Sequence, residues 1–80
     1  MIDSFPEFSS VRLLRDVTQH GQRVSEDGVW MDHSEMMLAG SRGAVVHIYN
    51  DGAAYEVEFF DDAHQTIGVF TVAHDDLERC

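Results

Sequence analysis

Lysine is missing from this chain, and proline and cysteine occur once each, as Pro6 and Cys80. With a single thiol no intramolecular disulfide can form and no thiol pair can chelate a metal, so stability has to come from packing. The lack of lysine leaves five arginines against fifteen aspartates and glutamates, a formal net charge of −10. A field of that sign repels phosphate backbones and anionic lipid headgroups and favours encounter with basic surfaces. Direct binding of nucleic acid and attachment to a membrane are therefore not expected. Long apolar runs are missing too: no stretch approaches the roughly 18 to 20 residues that a membrane span requires. Met1 to Ser10 carries Asp3 and Glu7 where an export signal would have a basic cap followed by an apolar run. The expectation is a soluble, cytoplasmic protein.

What is present is enough for one modest core, since 44% of the 80 residues are hydrophobic and 10% are aromatic. The chain divides into an N-terminal extension, residues 1–10, and one folded domain, residues 11–80. From Val11 to Val17 the mixture of branched apolar residues and charges suits a first strand. Gly43 to Phe60 is clearer. Tyr55, Val57 and Phe59 alternate with Glu56 and Glu58, the period of two that sets one face on a core and the other in water. Asn50-Asp51-Gly52, between two such arms, signals a hairpin because Asn and Gly tolerate the positive φ of tight turns. In the first arm Ala44, Val46 and Ile48 are assigned inward, and Val45, His47 and Tyr49 to the other face. Thr66 to Val72 reads as a further strand, with a bulge or a close backbone approach at Gly68. Ala73 to Leu77 reads as a turn into a brief last strand plugged by Leu77.

Between Gln19 and Gly43 the pattern changes. Asp32 and Glu35 have the spacing of a capping box and Gly40 could close a helix, giving about two turns from His33 to Ala39. The rival reading is a long irregular loop between the first two strands, into which those turns would fit. The resulting fold class is mostly β: a small SH3-like barrel of about five strands, with a short helix in the long loop between strands 1 and 2.

The stretch Leu38-Ala-Gly-Ser-Arg-Gly-Ala-Val-Val-His-Ile-Tyr49, followed by Asp51-Gly52, Tyr55-Glu-Val-Glu-Phe59 and a closing Thr71 to Leu77, resembles the small bacterial family DUF4926. Leu14 and Asp16 supply the opening of the pattern. The likeness runs from Val11 to Leu77 apart from Gly21 to Met37, which is longer and more apolar than the pattern. The resemblance implies an SH3-like barrel and brings no catalytic residues with it. By association it also implies an antitoxin or immunity role.

Chemistry at a site is poorly supported by the residues themselves. His33 with Asp32 and Glu35, His64 with Asp61 and Asp62, and His74 with Asp75 and Asp76 all lack the spacing that brings two good ligands to one point. No metal or other cofactor is expected. The cysteine is terminal and no serine sits in a glycine-rich elbow, so a nucleophilic enzyme is not expected either. Glu56 and Glu58 share a strand face, but a small barrel offers no deep cleft in which to shift their proton affinities.

Trp30, Met31, Met36 and Met37 form either a satellite core over one end of the domain or an interaction face. The leading expectation is a module that binds a protein with a basic surface, an antitoxin or immunity protein being its most concrete form. Asp51, Glu56, Glu58, Asp61 and Asp62 would steer the encounter, and Trp30, Met31, Met36 and Met37 would supply apolar anchors. Two alternatives stand beside it: an inhibitor that imitates nucleic acid with its carboxylates, and an accessory or structural subunit of an enzyme complex. An exposed strand edge or the Trp30 cluster also leaves room for two copies to pair.

Overall fold

The computed structural model describes residues 4–24 and 30–80, with the side chains of residues 20–34 outside the description. Seven strands follow one another: β1 (Ser10–Leu13), β2 (Val17–Val24), β3 (Trp30–Met37), β4 (Arg42–Tyr49), β5 (Ala54–Phe60), β6 (Thr66–Ala73) and β7 (Leu77–Arg79). Single 3-10 turns at Asn50–Gly52 and His74–Asp76 lead into β5 and β7. Five strands form one antiparallel sheet in the order β6-β5-β4-β1-β7, and β2 and β3 form a separate two-stranded ribbon. The protein is mostly β, as the alternation predicts.

The hairpin of β4 and β5 is the centre of the sheet. Tyr55, Val57 and Phe59 are all fully buried, while Glu56 and Glu58 between them lie half-buried on the outer face. The connection bends through three consecutive residues of positive φ, Asn50 at 48°, Asp51 at 58° and Gly52 at 105°, the residue types that reach this region at least cost. In β4 the inward assignment of Ala44 and Val46 does not hold. The pairing with β5 shifts register between Val45 and His47, which leaves Val46 as a bulged residue. Gly43 and Val45 are buried before the bulge and Ile48 packs against the core after it, because one extra residue reverses the alternation. A second register shift beside Gly68, between Phe59 and Phe60 of β5, supplies the bulge predicted there.

Val11 to Val17 is not one strand. β1 ends at Leu13, where Gly40 N–H donates to the Leu13 carbonyl at 2.8 Å, and the next amide, Leu14 N–H, donates to the Asp76 carbonyl at 2.8 Å. The chain then bends and starts β2 at Val17. The helix expected over His33 to Ala39 is also absent: Trp30 to Met37 is strand, paired with β2 in unbroken antiparallel register from Val17 opposite Met37 to Val24 opposite Trp30. Two helical turns in isolation are marginal, and eight cross-strand pairs to the preceding strand outweigh them. Gly40, at φ 89°, serves the turn between β3 and β4.

Val11, Leu13, Met37, Val45, Tyr55, Val57, Phe59, Phe70, Val72 and Leu77 form a single core, with Phe5, Val17 and Ile48 packed on it. Both edge strands, β6 through Phe70 and Val72 and β7 through Leu77, contribute to that one cluster, so the sheet curls around it. Phe59 and Phe70 meet edge to face at 5.9 Å, a favoured aromatic geometry. The segment before β1 is tied to the same body: Phe8 N–H donates to the Val45 carbonyl at 2.7 Å, and Val45 N–H returns a bond to Ser9 at 3.0 Å.

Candidate partner-binding surface

The outer face of β5 holds two carboxylates in fixed positions. Glu56 accepts hydrogen bonds from the hydroxyls of Tyr49 on β4, at 2.9 Å, and Thr71 on β6, at 2.7 Å. Glu58 accepts from the Thr66 hydroxyl at 3.1 Å. Side chains two apart on a strand share a face, about 7 Å from one another, and flanking hydroxyls from both neighbouring strands orient them. Among the described residues the ion pairs are Arg12 with Glu78 and Arg15 with Asp76, on the β1 and β7 side of the molecule. The charges of Glu56 and Glu58 are thus met by hydroxyl groups and by no arginine among the described residues. The hydrogen bond to Glu56, burial and the charge of Glu56 together raise the Tyr49 pKa above its ordinary 10.0.

The other predicted acids sit elsewhere. Asp51 is exposed in the turn at one end of β5, and Asp61 and Asp62 are exposed at its other end, about 20 Å away along a seven-residue strand. Asp61 also organises its own turn: its carboxylate accepts from Ala63 N–H at 2.9 Å and Gln65 N–H at 3.0 Å. Asp61 and Asp62 line an open depression together with Arg42, His64, Phe60 and Cys80. The predicted acids therefore form three groups along β5.

The apolar anchors are likewise dispersed. Met37 is 7% exposed and belongs to the core, whereas Met36, one residue earlier on the strand, is 61% exposed. Trp30 and Met31 open β3, and the choice between satellite core and interaction face lies, for their side chains, outside the described residues. Among the described residues no group of three or more His, Cys, Asp and Glu side chains is placed to share a metal ion.

One residue that sequence reasoning passed over is Gln19 on β2. Its side-chain amide donates to the Val69 carbonyl at 3.3 Å and accepts from Thr71 N–H at 3.1 Å, both on the edge strand β6. Nothing local marks this glutamine, because its partners lie 50 and 52 residues away in the chain.

The geometry defines a small, mostly β protein with an acidic outer sheet face and an attached two-stranded ribbon. The chain belongs to the family described as Domain of unknown function (DUF4926), whose model matches residues 7–79. No curated protein and no solved structure gives a significant match.

Proposed function

We propose that this protein is a binding module, built on a small SH3-like barrel, that engages a protein partner carrying a basic surface. The supporting observation is the pair Glu56 and Glu58, held on the outer sheet face by Tyr49, Thr71 and Thr66 with no cationic partner among the described residues. Carboxylates fixed in this way lose little side-chain freedom when a cation arrives, and the net charge of −10 steers such a cation toward them. The barrel reading draws on the strand order β6-β5-β4-β1-β7, with a ribbon between the first two strands of the sheet and a 3-10 turn before the last. The protein works by association and not by catalysis, in the cytoplasm, and an antitoxin or immunity protein is the most concrete form of the role.

Co-purification of partners at low and at high salt tests the reading. A basic protein retained at about 0.05 M salt and released at about 0.5 M is the expected result, because raising ionic strength shortens the reach of surface charge severalfold. Recovery of no basic protein at low salt overturns it. Competition between this protein and duplex DNA for a retained partner would turn the reading toward imitation of nucleic acid.

A further inference from the structure

The two edges of the sheet are built differently. β7 is short, at three residues, and carries Glu78 and Arg79, features that discourage pairing with another strand. β6 is eight residues long, has no charged side chain and no proline, and leaves Ile67 52% and Val69 42% exposed. An edge of that kind is a template for a further strand. Its exposed groups already hold a substitute: the Gln19 carboxamide gives one donor to Val69 and takes one from Thr71, as the backbone of a neighbouring strand would. Each residue of an edge presents its N–H and C=O to the same side, so the Val69 N–H and the Thr71 carbonyl face the same way as the two groups the amide holds.

We propose that the β6 edge is a strand-addition site for an extended basic segment of a protein partner, and that the Gln19 amide is the latch such a segment displaces, with the part of β2 that packs on β6 swinging aside as the latch opens. The inference rests on the basic partner proposed above and adds how that partner is held. Charge complementarity selects the occupant. Glu56 and Glu58 reach across to the threonines of β6 from the adjacent strand, so the outer face of an added strand would lie next to two carboxylates. Lysine or arginine at every second position of that strand would meet them, with main-chain bonds supplying affinity and the alternate side chains supplying specificity. A second copy of this chain would bring its own uncharged β6 and two further carboxylates, and repels.

The test uses the whole protein and an acetylated, amidated peptide of alternating lysine and valine, about nine residues long so that it spans β6. A second peptide carries N-methyl groups on the amides that would face the edge, and a third has glutamate in place of lysine. The lysine peptide should bind at low salt, with the Val69 amide becoming protected from hydrogen exchange. The methylated peptide should bind at least tenfold more weakly, and Gln19→Ala, which opens the latch, should bind the lysine peptide roughly three- to tenfold more tightly. Equal binding of the lysine peptide and its methylated form overturns strand addition while leaving charge recognition standing. Failure of the lysine peptide to bind, or equal binding of the glutamate peptide, overturns both. The comparison of peptides on the unaltered protein decides the question even if Gln19→Ala fails to fold.

Discussion

Tyr49 and Glu56 are coupled through one hydrogen bond, and the coupling has a sign that can be measured. Because the phenol of the folded protein holds its proton above the ordinary 10.0, the contribution is fully present below pH 10.0 and is lost as pH rises through the higher folded value. Spectrophotometric titration should find Tyr49 ionising late, and Glu56→Gln should bring it back toward its ordinary value. Tyr55 makes a different kind of contact. Fully buried, its hydroxyl accepts from Phe5 N–H at 2.9 Å and lies 2.9 Å from His74 Nδ1, while Phe5 stacks on the His74 ring at 4.7 Å. Tyr55→Phe strips both groups of a partner and should cost about 1–2 kcal/mol in denaturant unfolding. The core place of Tyr55 was legible from its alternation with Glu56, but its role as a tie for the N-terminal segment was not, because Phe5 is 50 residues away.

At the scale of the element, the β4–β5 hairpin depends on a missing side chain. A Cβ at Gly43 would overlap the backbone carbonyl of Glu58 and crowd Val57. Gly43→Ala must therefore push the two strands apart, and a loss of about 1–3 kcal/mol is expected, read as a drop in Tm of several degrees per kcal/mol in a domain of this size. This hairpin was the most legible part of the sequence: strict alternation in Tyr55 to Phe59 and the Asn-Asp-Gly turn are local signals. The bulge at Val46 was not, since Ala44-Val45-Val46-His47 offers apolar residues to either face and only the pairing with β5 decides which turns inward. The ribbon was misread for a related reason. Asp32 and Glu35 carry a helical capping signal within the segment, whereas the pairing that makes Trp30 to Met37 a strand comes from outside it, from the preceding strand β2.

For the molecule as a whole, one small core carries the fold, and both edges of the sheet feed it. Phe59 is fully buried at its centre, so Phe59→Ala should cost about 3–5 kcal/mol, against a total of roughly 5–15 kcal/mol for a typical domain. Calorimetry should find the Tm of the variant lowered by at least about 10 °C. The acidic character of the candidate surface was legible in composition, and the outer face of β5 in its period of two. How the acids are distributed was not legible, because Asp51 and Asp61 are separated by the length of a strand and Asp61 is also occupied in its own turn. The measurement closest to the central claim compares the unaltered protein with the Glu56→Gln/Glu58→Gln variant as bait for partners at low salt. A basic protein held by the first and lost from the second, with both baits equally folded by circular dichroism, is the predicted result; a partner held equally by both would contradict it.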